Sequence, residues 1–200
     1  MMVAEEIQAA LVSGDIHISP FDPANLGPNS YDVCLGEWFY REQRTGQDLY
    51  NPFDFEDTKR VWGYPLRASY NKIVLLPGEN ILAHTIEFIG GARMVSSEMH
   101  ARSSIGRNFL TVCRCAGFGD VGYINRWTME ITNNSQYHAI VLRVGMRVAQ
   151  IQFTRVADSN LRYTGKYQSV APVDEMVSSW VPEMMLPRLD RDREASMINE

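Results

Sequence analysis

The chain has 200 residues, 45% of them hydrophobic and 22% charged, with a formal net charge of −5. That composition suits a globular protein able to bury a core without disulfides or metal, and it excludes a disordered chain, a collagen-like repeat and a disulfide-stapled mini-domain. No apolar run approaches the roughly 18 residues of a membrane span, and the N-terminus MMVAEEIQAALVSGD lacks the basic start of a signal peptide, so a cytoplasmic protein is expected.

Along the chain, residues 3–13 predict one short helix. Val3, Ile7, Ala10 and Leu11 recur at helical spacing, and Gly14 stands where a C-terminal cap would. Short β-type runs follow: HISPF at 17–21, SYDVCLG at 30–36, KIVLL at 72–76 and ILAHTIEFI at 81–89. Pro77-Gly78 between the last two predicts a type II turn. Further runs are FLTVC at 109–113, RWTMEIT at 126–132, HAIVLRV at 138–144 and RVAQIQFTRV at 147–156. Many short strands with turn signals between them predict an all-β barrel or sandwich. Residues 42–70 are aromatic and without period, an excursion from the sheet. Residues 157–172 read as a loop, and the Met-rich, charged segment 173–200 as a tail that is partly helical or mobile. One domain over 1–172 with a tail over 173–200 is therefore expected.

Charge is unevenly placed. Residues 173–200 carry net −4, whereas residues 93–126 carry five arginines against Glu98 and Asp120. A locally basic stretch in an acidic protein suits a compact anionic ligand better than the broad basic face of a nucleic-acid groove. Arg102-Ser103-Ser104-Ile105-Gly106-Arg107 is the most informative piece. Arginine forks match phosphate oxygens, hydroxyls donate to them, and glycine permits close approach. A surface loop with capping serines fits the same six residues.

In 126–132, strand alternation puts Trp127, Met129 and Ile131 on one face and Thr128, Glu130 and Thr132 on the other. Glu130 sits among apolar neighbours, where partial desolvation would raise its pKa toward a useful acid/base value. A solvated glutamate on a half-buried sheet is the plainer reading of the strand alone. Ala116-Gly117-Phe118-Gly119-Asp120-Val121-Gly122-Tyr123 describes a tight loop whose aspartate holds a sugar hydroxyl or caps its own turn. A zinc site of the H-x-E and C-x-x-C kind has no counterpart in the sequence. Cys34, Cys113 and Cys115 make no disulfide framework, and Cys113 and Cys115 read as packing thiols. His17, His84, His100 and His138 are scattered and none is assigned to catalysis.

Together these segments resemble the dCTP deaminase branch of the trimeric dUTPase superfamily. The likeness runs from Gly14-Asp15-Ile16-His17-Ile18 and Pro28-Asn29-Ser30-Tyr31-Asp32-Val33 through Pro77-Gly78-Glu79 and Arg102–Arg107. It continues through Ala116–Tyr123, Thr128-Met129-Glu130, Gly145-Met146 with Ala149-Gln150, and Gly165-Lys166-Tyr167-Gln168. The resemblance implies a mainly β fold, a distorted barrel or jelly-roll of the dUTPase type, and a homotrimer with shared sites. It implies metal-free deamination of dCTP to dUTP and ammonia, with Glu130 moving protons and Arg107 and Ser103 positioning the water and base. Arg102, Ser103 and Ser104 would hold the triphosphate, with Mg²⁺ carried by its phosphates and no zinc. Backbone at Thr128 and Met129 would read the cytosine edge, Asp120 would contact the deoxyribose, and Tyr163 and Lys166 would come from the closing segment. Ser169-Val170-Ala171-Pro172 stands where the family has a second glutamine and an Arg-Gly-Pro run. The alternatives are a dUTP diphosphatase or bifunctional enzyme, and a non-catalytic nucleotide-binding regulator. No nucleic acid or membrane partner is expected.

Overall fold

A computed structural model describes residues 1–114, 116–157, 162–168 and 175–195. Helix α1 (Ala4–Ser13) buries Ile7 and Ala10 and ends at Gly14, whose amide donates to the carbonyls of Ala10 and Leu11. Strands β1 (Ile16–Ser19), β2 (Tyr31–Arg41), β3 (Leu66–Arg67) and β4 (Lys72–Leu75) follow, with helix α2 (Phe55–Trp62) between β2 and β3. Then come β5 (Asn80–Gly91), β6 (Val95–Ala101), helix α3 (Ser103–Gly106), β7 (Leu110–Thr111), β8 (Phe118–Gly119), β9 (Ile124–Asn133), β10 (Ile140–Arg143) and β11 (Arg147–Arg155).

One nine-stranded sheet runs β7-β9-β5-β2-β11-β6-β8, with β1 added to β5 and β3 to β2, while β4 and β10 form a separate pair. Every pairing between these strands is antiparallel. Strand β5 is the hinge of the architecture. Its first half pairs with β2 through Ile81–Thr85, and its second half pairs with β1 through Phe88–Gly91. The β5–β9 register shifts between His84 and Phe88, so the ladder bends there. The fold is mainly β, and the sheet curls around a core that includes Tyr31, Leu35, Ile81, Met129, Ile151 and Phe153.

Most expected strands are present. FLTVC shrinks to the two residues of β7, because Phe109 adopts a positive φ of 64° that breaks the extension. Strand β6 and helix α2 were not foreseen. The sequence of β6, VSSEMHA, is mostly polar, yet Val95, Ser97 and Met99 alternate inward. Helix α2 lies inside the expected excursion and is started by Asp54, whose carboxylate accepts from the Glu56 amide at 2.8 Å. At the Pro77-Gly78 turn, Gly78 takes φ +76° and the Glu79 amide donates to the Leu76 carbonyl, as a type II turn requires.

The segment expected as a tail packs onto the fold over its described residues. Helix α4 (Met176–Ser179) and two 3-10 turns, at Pro182–Met185 and Leu189–Arg191, lie there. Met185 and Leu186 are buried with Tyr40 and Leu82. Cys115 and Val170 lie outside the described residues. Among the described residues no helix is long and apolar enough to cross a membrane.

Candidate active site

Strand β9 sets the site. Its burial alternates strictly from Arg126 to Asn133, with Trp127, Met129 and Ile131 in the core. Arg126, Thr128 and Glu130 therefore share the opposite face, and all three line a cavity of about 400 Å³. Strand β5 contributes Asn80 and Leu82, and Leu82 is the direct cross-strand partner of Glu130. Asp120, Tyr123 and Tyr163 form one side, and Trp180, Met184 and Met185 form another.

Packing explains how residues distant in sequence meet here. Tyr123 makes edge contacts with both Trp127 and Tyr163, each at 5.4 Å between ring centroids. The Tyr163 backbone amide donates to the Val121 carbonyl at 2.8 Å, and the Gln168 side-chain amide to the Gly122 carbonyl at 3.0 Å. Gly122 takes φ +92°, and a Cβ there would stand 3.3 Å from the Arg162 side chain, so glycine lets segment 162–168 cross the loop. Asn125 holds that segment too, through its side-chain amide on the Tyr167 carbonyl at 2.9 Å.

Glu130 is half-buried, and its Oε2 is buried with no hydrogen-bond partner among the described residues. Burial raises its pKa above the ordinary carboxylate value; its own backbone amide and the positive charge of Arg114 oppose that rise. One oxygen of Glu130 is thus out of contact with solvent, unlike that of a fully solvated strand glutamate. Removing water makes the carboxylate a stronger base, the property a proton carrier needs.

Arg126 is the second unusual group. Its guanidinium lies 4.9 Å from the Phe88 ring centroid and 4.7 Å from that of Trp180. Its Nε is buried without a partner among the described residues, and burial lowers its pKa. Such a cation is stabilised by the ring faces on either side. His84 lies under Trp180 at 4.5 Å. Its Nδ1 is 2.8 Å from the Thr85 carbonyl and its Nε2 accepts from the Trp38 amide. Burial drives its pKa down to about 4, so it stays neutral and structural.

The arginine-serine segment lies apart from this cavity. Arg102 ion-pairs with Asp32 at 3.2 Å, and Arg147 meets the same oxygen at 3.1 Å. The Gln150 amide donates to the other Asp32 oxygen at 3.0 Å. Ser103, Ser104 and Arg107 are exposed, on or just after α3. None of Arg102, Ser103, Ser104 and Arg107 lines the Glu130 cavity, so a single chain does not bring them to it. Asp120, Thr128 and Tyr163 do line it, whereas the Met129 side chain is fully buried in the core. Lys166 is drawn to the C-terminal segment, with Nζ 2.6 Å from Asp192. Cys113 is half-buried and donates to the Met99 carbonyl. Among the described residues no three His, Cys, Asp or Glu side chains gather in a metal-holding group.

Sequence reasoning gave no role to Asp32, Arg147 and Gln150, although two of them stood in motifs already singled out. It also missed Trp180, Met184 and Met185, which stand in the segment read as a tail.

The sequence model of the dCTP deaminase-like family matches residues 1–156. A "dCTP deaminase, dUMP-forming" of Leptospira biflexa is 34% identical over 170 residues, covering 84% of this chain and 90% of the relative. The protein of the same description from Methanosphaerula palustris is 30% identical over 172 residues, with the same two coverages. Among solved structures, the 2'-deoxycytidine 5'-triphosphate deaminase of Agrobacterium tumefaciens superposes with a TM-score of 0.59 at 21% identity. That match spans 78% of this chain and 48% of the other, and shows a shared fold.

Proposed function

The chain belongs to the dCTP deaminase-like family, and we propose that it deaminates dCTP at Glu130 and releases dUMP. One observation carries the chemistry: a desolvated carboxylate with an unpartnered oxygen, facing a cavity from the middle of a rigid strand. Glu130 takes a proton from water as the hydroxide adds to C4 of cytosine. It passes that proton to N3 of the ring, then moves the proton of the new C4 hydroxyl to the amino group, and ammonia leaves the tetrahedral intermediate as the C4 carbonyl forms. A second water then cleaves the nucleotide to dUMP and diphosphate.

The product differs from the sequence-based expectation of dUTP. The curated relatives reported above are described as dUMP-forming, which favours the bifunctional alternative. Incubating the protein with dCTP and Mg²⁺ and resolving ammonia, dUTP, dUMP and diphosphate tests both steps. Ammonia with dUMP and diphosphate is expected; dUTP accumulating without diphosphate would remove the second step.

The separation of the Arg102 segment from the Glu130 cavity supports a homotrimer in which one chain's arginine-serine segment serves another chain's cavity. Arg102, Ser103 and Ser104 would hold phosphates, with Arg107 and Ser103 completing the neighbour's reaction site. Light scattering showing a monomer at micromolar concentration would sink shared sites. The oxygens of Asp32 already face Arg102, Arg147 and Gln150. That donor set fits a Mg²⁺ ion carried by the nucleotide's phosphates rather than by a free carboxylate of this cluster. Asp120 would meet the deoxyribose, and backbone at Thr128 and Met129 the cytosine edge. Tyr163 would close the cavity, and Lys166 would join it on leaving Asp192.

A further inference from the structure

We propose that the apolar wall of the Glu130 cavity is a subsite for an apolar substituent at C5 of the cytosine, so that 5-methyl-dCTP is a better substrate than dCTP. The inference rests on the deaminase reading and adds to it the identity of the base.

Cytosine has one polar edge, N4, N3 and O2, and one edge of two C–H groups, C5 and C6. The cavity lining holds both kinds of group, with Arg114, Asp120, Asn125 and Arg126 among the polar ones. Thr128, Glu130 and Asn80 supply polar groups, whereas Leu82, Met184, Met185 and Pro187 supply no strong donor or acceptor. Leu82 pairs directly with Glu130 across the β5–β9 ladder, and such partners carry their Cβ atoms about 4.5–5.5 Å apart on one face. C5 is bonded to C4, the carbon that Glu130 serves. With the polar edge turned along the strand toward Thr128, C5 turns toward Leu82 and the wall behind it.

That wall is built in advance of any ligand. Met185 and Leu186 are buried against Tyr40 and Leu82. Trp180 anchors the segment through a tilted ring contact with His84 and a cation–π contact with Arg126. Arg188 covers the Phe55 ring at 4.0 Å, and its amide donates to the Tyr167 hydroxyl at 3.1 Å. Met184 is 39% exposed at the surface of this wall. An unbranched, polarizable thioether can yield to an added methyl group and then pack against it.

The experiment compares kcat/KM for dCTP and 5-methyl-dCTP, using the full chain with Mg²⁺. The expected ratio favours the methylated base by about 10-fold, the lower end of what one methyl group is worth in an apolar pocket. Met184→Gln keeps the length but brings an amide into the wall, and should pull that ratio toward one by about threefold or more. A wild-type ratio at or below one, with dCTP turned over, overturns the subsite. So does a ratio that Met184→Gln leaves unmoved. If neither nucleotide is deaminated, the proposed function fails, and the subsite falls with it.

Discussion

Glu130 and Arg102 are both charged groups of the sheet region, and the fold treats them in opposite ways. Arg102 rests on Asp32, which also takes Arg147 and Gln150. Glu130 is driven into a cavity with one oxygen unpartnered. A satisfied cation must exchange its partner to bind a phosphate, so its contribution appears as affinity. An unsatisfied carboxylate is costly to the fold and reactive for the same reason, because the missing water both destabilises it and raises its basicity. On the proposed function, Arg102 belongs to a binding half and Glu130 to a chemical half of one chain.

Glu130→Gln should break the chemical half alone. The amide keeps size and hydrogen bonding but carries no proton from water, so kcat should fall about 10²–10⁴-fold with dCTP binding retained. Steady-state kinetics beside nucleotide titration checks this. A variant that deaminates at near the wild-type rate would show that Glu130 is not the proton carrier.

Arg102→Ala should break the binding half. A charge-assisted contact made equally in ground and transition states raises KM by about 10- to 100-fold when lost, with kcat nearly unchanged. Asp32 keeps Arg147 and Gln150, so the fold should survive. An unchanged KM removes the phosphate assignment.

The smallest expected effect is thermal. Burial raises the Glu130 pKa, so the native state holds this proton more tightly than the unfolded chain. Stability from this group is therefore present at low pH and is lost as pH rises from the unfolded value through the folded one. Glu130→Gln should melt higher than wild type near pH 7, and the gap should close as pH falls below the ordinary carboxylate range. Equal melting temperatures across that range would mean the carboxylate is not destabilised by its surroundings.

The sequence placed most β-strands because apolar alternation survives in ILAHTIEFI, RWTMEIT and RVAQIQFTRV. It missed β6 because VSSEMHA hides three inward positions among polar residues. It missed α2 although Asp54 followed by Glu56 and Asp57 is a legible start, because the helix is only eight residues long and its apolar side, Phe55 and Trp62, is too short to show a period. It made a tail of residues that line the cavity, because Pro182 and Pro187 break the segment around Trp180, Met184 and Met185 into pieces too short to show a period.

The sequence by itself determined the β character, the turn at Gly78, the two faces of β9 and the identity of the reactive carboxylate's neighbours along the strand. All of these follow from backbone geometry acting over a few residues. Only the tertiary structure decided whether Glu130 meets water. The cavity it faces is lined by Leu82 on the adjacent strand and by Met184 and Met185 some fifty residues later. Desolvation is a property of what packs above a side chain, and local spacing carries no record of that.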